Sequence, residues 1–399
     1  MEKFKCIKSF IAESRPAAPY FCLNLDEIRR CTESLVSMFP GEVAYAVKCN
    51  PHRLVLEEII RSGGQAWDVA SIEEIRLVNS LSRVLPSYFM NPIKSASDIF
   101  EAYSDFNIKE FAIDQEEEVS KFIRLEIPAA DITLSVRLAV SGHGALASMA
   151  GKFGVEFSEA VRLIKFIHAH GFKCGITFHV GSQCLAPEEY SKSIAQAIAI
   201  AEASQVPISA LDIGGGFPAK YEGHEPDFDL YKDVIKKSLS GSVLEKSHLR
   251  CEPGRAIAAS SVMVLTKVLA VRSNGLVHIN DGIYGGLSEI NFLNCTFPVA
   301  VWSDAGERLT GGVRSWKIAG PTCDSSDMFK KEYLLPASIK VGDYIGFGML
   351  GAYSPSLATR FNGYGVIPPF LALARNRGQA ARANFCLGVM PPRAIFGLS

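Results

Sequence analysis

Short apolar runs alternate with longer helical patterns from about residue 25 to residue 260. The apolar runs end near Lys48, Asp68, Met90, Asp114, Arg137, His179, Gly214 and Glu252. The segments between them have helical spacing, and EEYSKSIAQAIAIAEA (188–203) shows the 3.6-residue period clearly. Eight strand-then-helix units within about 235 residues predict a (β/α)8 TIM barrel. A doubly wound open sheet is the competing interpretation, but it seldom needs eight regular units.

The pattern changes after residue 260 to short β-runs punctuated by Gly, Pro and Asp. This predicts a C-terminal β-domain, formed by 261–366 and completed by the N-terminal segment 1–24, beside a barrel of 25–260. The remaining tail, 367–399, contains Arg375, Arg377, Arg382 and Arg393 and no acidic residue. Three interpretations of the tail stay open: a disordered extension, an arm that covers a dimer, or a site for an acidic partner.

The predicted strand ends give the chain its candidate chemistry. Lys48 ends the apolar run VAYAVK (43–48), and burial there favours a neutral amine. A lone lysine in this place is usually a solvated strand end. In a barrel, however, all strand ends open at one mouth, where barrel active sites lie. The polar or glycine strand ends that we expect at this mouth are Lys48, Asp68, Arg137, His179, Gly214–Gly216 and Glu252.

These residue types together indicate pyridoxal 5'-phosphate. The glycines of GGGFP (214–218) let backbone N–H groups approach a phosphate, and Arg255 in CEPGR follows the next strand. Lys48 is suited to bond the cofactor's aldehyde, and Glu252 to keep the ring nitrogen protonated. His179 is suited to stack on the ring. Each feature alone has a structural explanation, such as a tight turn or a core histidine.

Seven ordered motifs carry a family resemblance: YAVKCNP, HVGSQ, DIGGGFP, EPGR, GPTCDSSD, GAYS and FNG. With them the chain resembles the ornithine, lysine and diaminopimelate decarboxylases, which have an alanine-racemase-like barrel and a β-domain. It is most similar to the bacterial ornithine/lysine branch, over about residues 18 to 366. The aspartate after Cys323 fits that branch, since diaminopimelate decarboxylases usually have glutamate there.

The resemblance implies a role for each matched residue. Lys48 matches the Schiff-base lysine, Glu252 the partner of the ring nitrogen, and His179 the stacking residue. The implied phosphate ligands are Ser182, Gly214, Gly215, Gly216, Arg255 and Tyr353, and the implied pocket residues are Asp68 and Arg137. Cys323 matches the acid that protonates the substrate carbon, and Asp324 the acid that binds the distal amine. In the family both come from the neighbouring subunit, which implies a homodimer with shared active sites.

One substrate-binding acid of the family is missing from its place. The family's ornithine and lysine enzymes have a second acid after a DG-YG-like motif, and here its position falls on Phe292 or Leu293. Glu289 is the nearest acid in that segment and a candidate substitute. This departure does not affect the residues implied in decarboxylation, but it affects which amino acid we expect the site to bind.

Composition narrows the function further. A net charge of −1 gives no basis for nucleic-acid binding, and no apolar run is long enough to span a membrane. The ten cysteines are scattered, which predicts neither a metal site nor disulfides and favours the cytoplasm. The resemblance implies a decarboxylase of ornithine, lysine or a related basic amino acid, in polyamine-type or specialised metabolism. The alternatives are a decarboxylase of a larger or less cationic, diaminopimelate-like substrate, an amino acid racemase, and a non-catalytic regulatory homologue.

Overall fold

The computed structural model describes residues 6–141, 144–147, 151–223, 225–364 and 370–372. The chain starts with helix α1 (Ile7–Ser14) and strand β1 (Tyr20–Leu23) and then enters a closed barrel of eight parallel strands. The barrel strands are β2 (Glu42–Ala46), β3 (Ala66–Val69), β4 (Ser87–Phe89), β5 (Glu110–Ile113), β6 (Thr133–Arg137), β8 (Lys173–Thr177), β10 (Ile208–Asp212) and β11 (His248–Cys251). The predicted (β/α)8 barrel is confirmed. A small antiparallel pair, β7 (Ala145–Ala147) and β9 (Ser182–Cys184), lies outside it.

Amphipathic helices precede or connect the barrel strands, with α2 leading from β1 into the first of them. They are α2 (Leu25–Met38), α3 (Arg53–Arg61), α4 (Ile72–Leu81), α5 (Ala96–Ser104), α6 (Glu116–Arg124), α7 (Phe157–Ala169), α8 (Glu188–Ser204) and α9 (Phe228–Leu239). Several begin at a side-chain cap: the Ser71 hydroxyl accepts from the Glu74 N–H, and the Ser95 hydroxyl from the Asp98 N–H. Within the described residues, none of the helices has the length and apolarity needed to cross a bilayer.

A mixed β-sheet forms the second part of the molecule. The helices and strands of this part are α10 (Arg255–Ala258), β12 (Val262–Val271), β13 (Leu276–Ile279), α11 (Ser288–Phe292), β14 (Val299–Trp302), β15 (Val313–Ala319), β16 (Tyr333–Pro336), β17 (Tyr344–Phe347), α12 (Ser354–Leu357) and β18 (Phe370–Ala372). Short 3-10 turns cover Val47–Cys49, Ala129–Asp131, Ala259–Ser261 and Phe361–Gly363. The sheet order is β14-β17-β12-β13-β15-β16.

The N-terminal segment completes this sheet, as predicted. Strand β1 pairs antiparallel with β12, and the buried side chains of α1 pack in a cluster with Trp302 and Tyr344. Strand β18 pairs parallel with β1, so the sheet continues past residue 366, where the β-domain was predicted to end. The rest of the predicted tail lies outside the described residues.

A buried ionic network crosses the barrel interior. The Arg250 guanidinium donates to Asp212 at 2.7 Å and to Glu110 at 2.6 Å, and it stacks 3.6 Å from the centre of the Tyr88 ring. The other carboxylate oxygen of Asp212 accepts from the Gly214 N–H at 2.8 Å. The network therefore ties strands β5, β10 and β11 to the turn that follows β10.

Candidate active site

Lys48 forms an ion pair at the mouth of the barrel. The chain leaves β2 through a 3-10 turn, and Lys48 Nζ lies 2.7 Å from the buried Asp68 carboxylate of β3. The Lys48 side chain keeps 37% of its surface exposed, so it faces the mouth. Burial disfavours the ammonium, but Asp68 and Glu252 more than offset it, and the pKa of Lys48 is raised. The sequence-based expectation of a neutral amine is therefore wrong for the protein without cofactor, because Asp68 holds the charged form.

Glu252 and His179 line the same mouth. Glu252 follows β11 and is buried, and its Oε1 has no hydrogen-bond partner among the described residues. Burial, with the nearby Asp212 and Asp68, raises the pKa of Glu252 well above its usual value, so the carboxyl holds a proton readily. Burial and the cationic Arg137 and Lys48 lower the pKa of His179. His179 Nδ1 accepts from the Gly181 N–H at 3.0 Å, which leaves a neutral ring with its proton on Nε2.

Arg255 is held from several sides. Its Nε donates to the Ser182 hydroxyl at 3.0 Å, and Nη1 donates to the Tyr221 hydroxyl at 2.7 Å. The guanidinium carbon lies 5.0 Å from the centre of the Tyr353 ring. Nη2 is buried and has no hydrogen-bond partner within the described ranges. A buried donor left unpaired costs about 1–3 kcal/mol, so this atom favours an anionic oxygen as ligand.

The glycine turn makes room beside these groups. Gly214 and Gly216 have φ of +67° and +104°, and a Cβ on Gly214 would lie 2.2 Å from the Phe178 carbonyl oxygen. A Cβ on Gly215 would lie 3.0 Å from His179 Nε2. Side chains are therefore excluded from all three positions, and the backbone stays accessible to a ligand.

The remaining predicted site residues lie in different surroundings. Cys323 is exposed, and its thiol lies 3.3 Å from the Asn362 side-chain oxygen. The Asp324 carboxylate accepts from the Tyr284 hydroxyl and from the Ser326 N–H, and the hydrogen bond from Tyr284 lowers its pKa.

The segment expected to hold the second acid is divided between surface and interior. Phe292 ends α11 with 60% of its surface exposed, whereas Leu293 is buried. Glu289 is buried as well, and its Oε2 lies 2.8 Å from Arg255 Nη1. The structure thus brings Glu289 to the guanidinium. Its predicted contact with a substrate amine stays a prediction.

Sequence reasoning missed several partners of these residues. Tyr221 binds Arg255 from 34 positions away, and the sequence carries no signal for that contact. Tyr284 and Asn362 stand inside motifs that were noted for other reasons, DGIYGG and FNG. The Arg250 network joins strands 140 residues apart in sequence, which only the closed barrel reveals.

The site fits pyridoxal phosphate. Among the described residues, the barrel mouth presents a lysine amine, a buried acid with an unpaired oxygen, a neutral imidazole, and a buried guanidinium donor without an acceptor beside a glycine turn. These groups suit, in that order, an aldehyde, a ring nitrogen, a ring face and a phosphate. Fold and site together define a barrel enzyme of the pyridoxal-phosphate class.

Comparison with known proteins specifies the family. Residues 25–259 match the pyridoxal-binding domain of the pyridoxal-dependent decarboxylases. The chain therefore belongs to this family, as the motifs predicted, and it is a decarboxylase that uses pyridoxal phosphate.

Relatives with known structures or activities share most of their length with this chain. A lysine/ornithine decarboxylase of Selenomonas ruminantium is 29% identical over 370 residues, with 90% of each chain covered. The crystal structure of a Vibrio vulnificus lysine/ornithine decarboxylase complexed with putrescine matches with a TM-score of 0.79 and 29% identity, covering 92% of this chain and 97% of that one. A structure of SrLDC in complex with PLP and cadaverine also has a TM-score of 0.79, at 27% identity, covering 93% and 95%.

Proposed function

We propose that this chain removes the α-carboxylate of a basic amino acid, ornithine or lysine, and releases CO2 and the corresponding diamine. The observation that carries the proposal is the Lys48–Asp68 pair beside Glu252 at the barrel mouth. The substrate class is supported by the similarity to lysine/ornithine decarboxylases, one of them in complex with putrescine. An amine product of this kind fits polyamine-type metabolism.

Each residue of the mouth has a distinct task in this proposal. Lys48 would hold the cofactor through its aldehyde, and Asp68 would hold the Lys48 ammonium whenever that amine is free. Glu252 would keep the ring nitrogen protonated, and the uncharged His179 ring would support the face of the cofactor. Arg255, Ser182, Tyr353 and the glycine turn would hold the phosphate. When bound, pyridoxal phosphate supplies a ring that accepts the electron pair left by the departing CO2.

We infer that the site is completed in a homodimer. Cys323 and Asp324 are the proposed proton donor and the proposed ligand of the distal ammonium, and Cys323 is exposed on the isolated protomer. The exposed apolar side chains include Phe292, Leu357, Phe361 and Tyr364. The Phe361 ring lies 4.7 Å from the ring of Tyr284, whose hydroxyl donates to Asp324. Exposed apolar groups of this kind are typical of contact surfaces. A second copy would cover them and receive Cys323 and Asp324 in its own barrel mouth.

The domain division and the location are also proposals. We place the cofactor domain at 25–260 and the β-domain at 1–24 with 261–366, extended by the strand Phe370–Ala372. The nine described cysteines are free thiols, which supports a reducing compartment such as the cytoplasm.

A CO2-release screen tests the function directly. Purified protein loaded with pyridoxal phosphate is offered ornithine, lysine, arginine and diaminopimelate, and we expect CO2 from ornithine or lysine. Lys48→Ala should release none and should not retain cofactor after borohydride reduction, because its covalent anchor is gone. Lys192→Ala, which alters an exposed lysine of α8, is the matched control and should behave as the parent.

Two outcomes would overturn the proposal. Conversion of an L-amino acid to its D-form without CO2 would identify a racemase. Failure to release CO2 from any of the four amino acids by protein that holds the cofactor would favour the regulatory homologue.

A further inference from the structure

We propose that Glu289 sets the charge at the phosphate end of the cofactor site, by sharing the Arg255 guanidinium with the phosphate. The inference rests on the proposed role of Arg255 as a phosphate ligand. It concerns cofactor selection and does not depend on which amino acid is decarboxylated.

The Glu289 carboxylate, an anion, lies beside Arg255, the cation proposed to bind the phosphate. Glu289 lies in α11, with 1% of its surface exposed, and its Oε2 is 2.8 Å from Arg255 Nη1. Burial raises the pKa of the Glu289 carboxyl and Arg255 opposes that rise, so the negative charge of Glu289 depends on its pairing with the guanidinium. The pKa values of Tyr221, Tyr353, Cys49 and Cys295, which also lie near the pair, are raised mainly by burial, which favours their uncharged forms. Among these described neighbours, Glu289 is therefore the group that can offset the charge of Arg255.

The Arg255 guanidinium has separate nitrogen atoms for the Glu289 carboxylate and for the cofactor phosphate. Nε donates to the Ser182 hydroxyl and Nη1 to the Tyr221 hydroxyl, and the Glu289 carboxylate forms an ion pair 2.8 Å from Nη1. Nη2 remains buried without a hydrogen-bond partner among the described residues. A phosphate oxygen at Nη2 would meet a donor that is well oriented but attached to a neutralised group. The Glu289 carboxylate thus stabilises the buried guanidinium when the cofactor is absent. The same negative charge lowers the affinity of the guanidinium for the phosphate.

Replacing the carboxylate therefore has a predictable direction. Glu289→Gln keeps the size of the side chain and an amide oxygen that can accept from Arg255, but it removes the negative charge. The guanidinium then acts on the phosphate with its full charge, and we expect about tenfold tighter binding of pyridoxal phosphate. Pyridoxal, which lacks the phosphate, should bind with unchanged affinity.

A role at the substrate's distal amine predicts the opposite pattern. In that case Glu289→Gln would raise the KM for ornithine or lysine and leave the ratio of cofactor affinities unchanged. The buried ion pair with Arg255 argues against it, because the Glu289 charge is already taken.

The experiment measures cofactor affinities by equilibrium dialysis against cofactor-free protein. For the parent and for Glu289→Gln, the affinity ratio of pyridoxal phosphate to pyridoxal is determined, and the ratio should rise about tenfold in the variant. Inorganic phosphate should also raise the melting temperature of cofactor-free Glu289→Gln more than that of the parent. Glu58→Gln is the matched control, since Glu58 is a buried carboxylate paired with Arg29 and Arg61 on the barrel exterior; its ratio should equal the parent's.

A second variant guards against a folding failure. Glu289→Leu suits a buried position and also removes the charge, so it should raise the ratio as well. An unchanged or lower ratio in the folded variants would overturn the inference, even if the protein releases CO2 from lysine. A raised ratio would stand even if the CO2 screen failed, so the two proposals fail separately.

Discussion

The Lys48–Asp68 ion pair determines the protonation state of the Lys48 amine. With Asp68 at 2.7 Å and Glu252 nearby, the pKa of Lys48 is raised, so the amine is protonated at neutral pH in the protein without cofactor. Bonding to an aldehyde requires the neutral amine, whose fraction rises tenfold per pH unit below the pKa. Cofactor attachment should therefore speed up as the pH rises.

Removing the charge of Asp68 should shift this pH dependence. In Asp68→Asn the ammonium loses its main stabilising anion, so the pKa of Lys48 falls and more neutral amine is present at any given pH. We expect the rate of cofactor attachment to cofactor-free protein, followed by absorbance after rapid mixing, to rise and its pH profile to move to lower pH. Asp114→Asn, at the strand end after β5, is the control and should leave the profile in place. A shift of the Asp68→Asn profile to higher pH would contradict the assignment.

At the level of secondary-structure elements, the stability of the barrel depends on the buried ionic network of Arg250. No local sequence pattern predicts this network. Arg250 is fully buried on β11 and joins Asp212 of β10 to Glu110 of β5. Removing one partner of such a network leaves the others buried as uncompensated charges.

We expect Arg250→Ala to lower the free energy of unfolding by about 3–5 kcal/mol, measured by urea denaturation of the cofactor-free protein. Arg53→Ala, which breaks an exposed ion pair with Glu57, should cost no more than about 1 kcal/mol. Equal losses in the two variants would show that the network contributes nothing beyond a surface pair.

The elements that were predicted from sequence are those with a local signature. All eight barrel strands lie where apolar runs alternate with helical periods, and the site residues follow because Lys48 and Glu252 stand directly after such runs. The contacts that were missed, such as Tyr221 with Arg255, join distant segments through the curvature of the barrel. The charge state of Lys48 was mispredicted because the sequence places Asp68 at the same mouth but does not give the 2.7 Å distance between the two groups.

Helix α11 bears on substrate choice. A distal ammonium beside Asp324 alone is held less well than one between two acids, and Phe292 adds an exposed apolar surface. We therefore expect the parent to use ornithine or lysine with a high KM.

Phe292→Asp should raise kcat/KM for ornithine or lysine, measured by CO2 release, because it restores an acid near the position where the family has one. Leu293→Asp should instead destabilise the fold, because Leu293 is buried and its replacement would be an unpaired charge. Leu334→Asp, at another exposed apolar position, controls for surface charge. A low KM for lysine in the parent, unimproved by Phe292→Asp, would refute this view of the pocket.

At the scale of the whole molecule, the proposed site divides its work between two chains. Lys48, Glu252 and Arg255 come together in one barrel mouth, whereas Cys323 is exposed and its thiol donates a hydrogen bond to the Asn362 side-chain oxygen. If the partner's copy of Cys323 supplies the proton, a protomer that lacks Lys48 can still serve a neighbour that has it.

Mixing two inactive variants tests this division. Lys48→Ala should be inactive because it cannot hold the cofactor covalently, and Cys323→Ala should be slow because the carbon left by CO2 has no proton donor.

In a mixed dimer one site carries both changes and the other carries neither. Random exchange makes half the dimers mixed, each with one intact site of two, so activity should return to about a quarter of the parent's. Native mass spectrometry verifies that the chains exchange. A mixture of Lys48→Ala with Glu252→Gln is the control, because each chain then carries one change in its own barrel mouth and no intact site forms. Mixed dimers without recovered CO2 release would show that each chain builds its site alone.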